Sequence, residues 1–174
     1  EEQSSLMQQI VAEHGGGAFR WATAQEDRTK LSKARHNAYY AGLALKPGSF
    51  GFATDACVPI SRLADCVLET RADVDATGLV CPIVGHVGDG NFHLSYLFYP
   101  DDAREATEVE RLSEQMVRRA LRLEGTCTGE HGIGLHKMGY LVDEAGPAAL
   151  EAMKRIKRAL DPKNIMNPGK VLAL

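Results

Sequence analysis

Two apolar runs, Leu79 to His86 and Phe92 to Tyr99, are separated only by Val87-Gly88-Asp89-Gly90-Asn91. Glycines and short polar residues supply the positive φ angles of a tight reversal, so the stretch predicts a β-hairpin. From about Ala103 to Glu124, the positions Ala106, Val109, Leu112, Met116, Ala120 and Leu123 trace one face of a long amphipathic helix. Its acids come early and Arg118, Arg119 and Arg122 late, as the helix dipole favours. A hairpin followed by such a helix restricts the chain to a half-covered antiparallel sheet.

The rest of the pattern agrees. Leu6, Met7, Ile10 and Val11 predict a short first helix stopped by Gly15-Gly16-Gly17. Ala18-Phe19-Arg20-Trp21 reads as a brief extended stretch. A single helix is expected from about Gln25 to Leu45, broken by Pro47-Gly48. Phe50 to Val58 reads as a strand ending at Pro59. Ser61 is the expected N-cap of a helix burying Ala64, Val67 and Leu68. A last helix starts near Pro147 and stops at Asp161-Pro162, with Leu150, Met153, Ile156 and Leu160 turned inward. Four strands interleaved with helices give an α+β class: a ferredoxin-like antiparallel sheet with helices on one face, plus C-terminal helices. Residues 1–174 are read as one domain.

Composition narrows the function. The 174 residues carry 20 basic and 23 acidic side chains, a net charge of −3, so no basic surplus is available for phosphate backbones. No apolar run approaches the roughly 18 residues of a membrane helix. The four cysteines, Cys57, Cys66, Cys81 and Cys127, form no C-x-x-C pair and fit reduced thiols. A reducing compartment such as the cytoplasm is expected, and mitochondrial or peripheral-membrane association is compatible with it. The opening Glu1-Glu2-Gln3, rather than Met, allows a piece of a longer protein.

Polar chemistry concentrates in Gly85 to His93 and in Gly125 to Gly134. In a hairpin, His86 closes one strand and His93 opens the next, so two imidazoles can converge on one metal ion. Strand parity adds Ser95 to the face of His93. Enzymic divalent metals often take a His/His/carboxylate set and keep one position open, and Glu130 is the best third ligand. Two histidines beside a turn are equally readable as solvated polar residues. The loop with Gly129, Glu130, His131, Gly132 and Gly134 shifts the balance, because small residues let a planar ligand approach the backbone. These glycines fit neither a dinucleotide fingerprint nor a P-loop. Cys127, four residues before His131, invites a Cys-His nucleophile, but no oriented third group supports it.

His86-Val87-Gly88-Asp89-Gly90-Asn91-Phe92-His93, Gly129-Glu130-His131-Gly132-Ile133-Gly134 and Pro162 to Val171 together resemble the C-terminal domain of FAD-linked oxidases, nearest the D-lactate dehydrogenase and glycolate oxidase branch. Lys33 to Ala38 and Thr54 to Leu63 extend the similarity over nearly the whole chain. The resemblance implies a substrate-binding cap domain of the vanillyl-alcohol-oxidase type, with FAD held mainly by a separate N-terminal domain. It implies that His86, His93 and Glu130 hold a divalent metal such as zinc or manganese, and that His131 is the base. It also implies that Arg35 binds the substrate carboxylate, with Ser95 lining the substrate site and Asn91 and Asn167 approaching the flavin.

The implied reaction is oxidation of a small D-2-hydroxy acid to the 2-oxo acid, with hydride passing to FAD and then to an electron acceptor. A homodimer is compatible with this reading. Ser32 and His136 depart from the residues usual in the family. Ala53 stands where relatives specialised for larger diacids carry a lysine, which favours small monocarboxylates such as lactate or glycolate. A non-redox metal- or ligand-binding module and a metal-dependent hydrolase use the same donor set and stay open at this point.

Overall fold

In a computed structural model, residues 2–17 and 21–174 are described. The chain divides into two compact units, Glu1–Ala41 and Gly42–Leu174. The first holds α1 (Glu2–Glu13) and α2 (Gln25–His36). Most of the stretch expected to be extended, Ala18 to Arg20, lies outside the described residues. The helix expected over Gln25 to Leu45 is two helices: Asn37 ends α2, and α3 (Ala38–Leu43) straddles the boundary between units. No residue of α1 or α2 is buried.

The second unit is α+β. It contains β1 (Phe50–Cys57), α4 (Ile60–Asp75), β2 (Ile83–His86), β3 (Asn91–Phe98), α5 (Ala103–Arg122) and α6 (Met138–Leu160). Among the described residues the strands form a three-stranded antiparallel sheet of order β1-β3-β2, and the fourth expected strand is the stretch that lies mostly outside those residues. The hairpin forms as expected, His86 pairing with Asn91 around a 3-10 turn over Val87–Asp89. Gly90 closes the turn at φ +74°, and a Cβ there would strike the Val58 carbonyl, so only glycine fits.

Strand parity splits the sheet into two faces. Phe92, Leu94 and Tyr96 of β3 and Ala56 of β1 enter the core with Leu63, Cys66 and Val74 of α4 and Val109, Leu112, Met116, Val117 and Ala120 of α5. Asp55 and Cys57 of β1 and Asn91, His93 and Ser95 of β3 alternate with these residues and belong to the opposite face. The sheet is therefore roofed by α4 and α5 on one side and carries polar chemistry on the other.

The stripe predicted on α5 is the buried one. Asp102 caps that helix, its side chain accepting from the amides of Arg104 and Glu105. On α4 the sequence reading holds only for Val67, which is partly buried against the core. Pro59, not Ser61, is the N-cap and makes no side-chain capping bond, and the buried positions are Leu63, Cys66, Thr70 and Val74. Leu68 is exposed. Both stripes have helical spacing, and the interior chose the one containing Thr70 because Arg119 of α5 donates to that hydroxyl at 2.9 Å. Helix α6 is two helical segments joined at a kink: an unforeseen one from Met138 runs to Gly146, where helix geometry breaks (φ +81°), and the last begins at Pro147 as expected. Ile156 and Leu160, expected inward, are exposed, while Leu150 and Met153 of the same stripe are half-buried.

Candidate functional site

The site is built on the outer face of the sheet. His93 pairs across β3 with Asp55 on one side and Val84 on the other, while His86 lies diagonally from His93 on the same face. The two imidazoles meet edge to face with ring centroids 5.2 Å apart. The loop 125–137 crosses above them. A bridge between Cys57 and Thr126 fixes its first residues, and the Thr126 amide donates to the Cys57 carbonyl at 2.8 Å.

Glu130 comes down from this loop onto both histidines. Its Oε1 stands 3.5 Å from His86 Nε2 and 3.2 Å from His93 Nε2. One ligand atom from each of the three residues falls within 4.8 Å of the others, the spacing of donors around a single cation. A second group, Asp55, His93 and His131, meets the same spacing. His131 stacks on His93 with centroids 5.1 Å apart, so base and ligand candidates are adjacent as well as distinct.

Asp55, which sequence reasoning did not single out, organises the loop. Its carboxylate is fully buried and accepts the backbone amides of Glu130 at 2.6 Å and His131 at 3.0 Å. Its other oxygen accepts the Thr128 hydroxyl and the Lys137 ammonium, each at 3.0 Å. Lys137 also donates to the Asp55 carbonyl at 2.6 Å. Burial pushes the Asp55 carboxyl up, but these amides and the lysine outweigh it and hold the group far below the usual carboxylate range. The signal for Asp55 was in the chain: one acid inside the apolar run Phe50 to Val58.

His93 shows the opposite balance. Burial pushes its imidazole toward the neutral form, which is the form that can ligate a metal, and the nearby His131 acts the same way. Both of its ring nitrogens are buried without a hydrogen-bond partner. Although Nε2 is 3.2 Å from Glu130, the approach lacks hydrogen-bond geometry. A buried imidazole with a neighbouring carboxylate and no hydrogen bond between them is the arrangement expected of donors aimed at a common third point. The residues present therefore fit a divalent cation.

Asn91 lies beside this group, opposite both Cys57 and His86. Gly129 passes so close that a Cβ there would stand 2.5 Å from Asn91 Cγ. Cys57, His86, Asp89, Asn91, Gly129 and Glu130 line an open cleft of about 410 Å³. Ser95 shares the sheet face but does not line the cleft, and its Oγ is buried without a partner. Asn167 sits on the exposed C-terminal tail, which returns to the loop where Val171 donates to the Gly134 carbonyl at 2.8 Å. Arg35 is an exposed residue near the end of α2 in the first unit. Cys127 is fully buried, and burial together with Glu144 pushes its thiol up to about 12, which removes the nucleophile reading.

Comparisons with known proteins bear on the family of the chain. The family described as FAD linked oxidases, C-terminal domain, matches residues 1–171. A protein named probable D-lactate dehydrogenase, mitochondrial, from Danio rerio is 52% identical over 174 residues, 100% of this chain and 35% of that protein. The Arabidopsis thaliana D-lactate dehydrogenase [cytochrome], mitochondrial, is 46% identical over 171 residues, 98% of this chain and 30% of that protein. The glycolate oxidase subunit GlcD of Bacillus subtilis is 36% identical over 155 residues, covering 87% of this chain and 32% of that subunit. The chain thus spans about a third of the length of these relatives. Among solved structures, a 4-ethylphenol oxidase from Gulosibacter chungangensis in complex with isoeugenol aligns with a TM-score of 0.58 at 20% identity, over 86% of this chain and 31% of that one, a likeness of fold.

Proposed function

The chain belongs to the family of FAD-linked oxidase C-terminal domains, and from that premise we propose that it is the substrate- and metal-binding part of a flavin-dependent dehydrogenase. The substrate class is a small D-2-hydroxy acid, D-lactate or glycolate in type, converted to the 2-oxo acid. FAD would be held mainly by an N-terminal domain of the same flavoprotein and would supply the hydride acceptor, with a further acceptor taking the electrons from it. The mitochondrial names of the first relatives favour that compartment. No helix of the described residues is long and apolar enough to cross a membrane.

The observation that carries this reading is the convergence of His86, His93 and Glu130 beside His131. The three hold a divalent cation, zinc or manganese in type, which when bound supplies Lewis-acid polarisation of the substrate hydroxyl. His131 takes the hydroxyl proton. It is suited to this because its ring is solvent-accessible, lies against His93, and has Nδ1 3.7 Å from the Asp55 carboxylate. The guanidinium of Arg35 pairs with the substrate carboxylate as a fork and fixes which face of the α-carbon is presented. Ser95, on the sheet face of His93 but outside the cleft, is assigned to the substrate side by strand parity alone. Asn91 and, from the returning tail, Asn167 approach the flavin.

Metal analysis of the purified full-length protein tests the reading. Wild type is expected to carry about one divalent ion per chain. The His86→Ala/His93→Ala variant should carry none. Metal retained by that variant would remove the hairpin histidines from the site. An intact protein that is yellow, and bleaches under anaerobic D-lactate or glycolate, supports the flavin half. Hydrolysis without flavin would overturn it.

A further inference from the structure

We propose that Asp55 is a positioning residue whose buried carboxylate sets Glu130 and His131 together, so that one group places both a ligand and the base. The inference rests on the metal and base roles given above. Glu130 and His131 are consecutive in an irregular loop, and nothing in their local sequence fixes where their side chains point. Two adjacent amides, those of Glu130 and His131, donate to the same oxygen of Asp55. A backbone clamped at two successive N–H groups cannot rotate about the peptide between them, so the two side chains leave the loop in a fixed relation. One reaches the His86–His93 pair, and the other stacks on His93.

Thr128 extends the clamp by one turn. Its hydroxyl donates to Asp55 at 3.0 Å and accepts the Gly132 amide at 3.0 Å, so three backbone N–H groups of the loop depend on one carboxylate, two of them directly. Asp55 in turn is fixed by the β1–β3 ladder directly opposite His93, so the reference point of the loop is the strand that carries a ligand. The Lys137 ammonium bonds the same carboxylate and no residue of 128–134, and the contact of Lys137 with that segment is its backbone amide donating to the Ile133 carbonyl at 3.2 Å, which a side-chain substitution leaves in place. The ammonium completes the charge balance of the buried group, and its loss should weaken the fold without freeing the loop.

Three variants of the full-length protein separate these roles. Asp55→Asn keeps the shape but turns an amide N–H toward the loop donors. It should raise the Kd for Zn²⁺ about 10- to 100-fold and accelerate deuterium exchange in the 128–134 segment. Lys137→Met breaks the same ion pair. It should lower Tm while leaving Kd and exchange within about threefold of wild type. Parallel losses of affinity in both variants, or unchanged exchange in Asp55→Asn, would overturn the inference.

Where Asp55→Asn does not fold, Thr128→Val decides. Weaker binding by about threefold or more and faster exchange at unchanged Tm support the clamp, and wild-type values refute it. Should wild type take up no Zn²⁺, the metal reading falls while the exchange comparison still decides the role of Asp55.

Discussion

Gly129→Ala offers a sensitive test of how the site is assembled. A Cβ at 129 would stand 2.8 Å from Nδ2 and 2.5 Å from Cγ of Asn91, and closer still to Oδ1, so something has to move by about an ångström to reach ordinary contact near 3.5–4.0 Å. Neither side yields easily. Asn91 is buried on β3 between Cys57 and His86, and the loop is held one residue later where the Glu130 amide bonds Asp55 at 2.6 Å. Overpacking of this kind costs about 1–3 kcal/mol.

If the loop gives way, Glu130 leaves the histidines and the loss is read in metal affinity, about 5- to 150-fold for that energy. If Asn91 gives way, the loss is read in stability. Isothermal titration with Zn²⁺ and urea denaturation of the same samples measure both. Asn91→Ala removes the obstructing amide, so the Gly129→Ala change should be much milder in that background, with a coupling of about 1–3 kcal/mol in the double-mutant cycle. A Gly129→Ala protein within about 0.5 kcal/mol and threefold of wild type, or a cycle with no coupling, would refute the steric reasoning.

Three further outcomes are expected. His131→Ala in the flavoprotein should lose about 10²–10⁴-fold in turnover while its metal content stays at the wild-type level, checked by steady-state kinetics beside metal analysis; retained turnover removes His131 as base. Arg119→Ala should destabilise by about 1–3 kcal/mol in denaturant titration, because Arg119 is buried and its loss strands the buried Thr70 hydroxyl, whereas Asp73 reaches water and Glu69 keeps Arg122. Lys46 and the Tyr99 amide hold the Glu105 carboxyl below its usual range, so its contribution is present above the unfolded pKa near 4.5 and is lost as pH falls through the folded value. Stability measured between pH 7 and pH 3.5 should therefore fall less steeply in Glu105→Gln than in wild type, and equal slopes would exclude the linkage.

The alternation of residues 79–99 is enough to determine the hairpin, because side chains on a strand repeat every two residues and the turn residues admit few alternatives. That alternation places His86 and His93 on one face whatever else the chain does. The stripe on α5 is equally legible, since its apolar residues leave no second register. On α4 two stripes of equal spacing compete, and the choice fell to Arg119, 49 residues away from Thr70 in sequence. The exposed end of the α6 stripe, Ile156 and Leu160, reads as buried from its sequence, because periodicity reports that a face is apolar and not what covers it.

The chemistry divides the same way. Glu130 is recognisable as a ligand candidate by type and setting, and the metal-spaced convergence with the histidines comes only from the path of its loop. That path is set by Asp55, which lies 75 residues from Glu130 and 82 from Lys137. Sequence determined the residue types and the faces, because those follow from short-range backbone geometry. Tertiary structure alone decided which distant carboxylate receives the amides of residues 130 and 131, since a buried charge selects its partners by position in space and carries no local pattern.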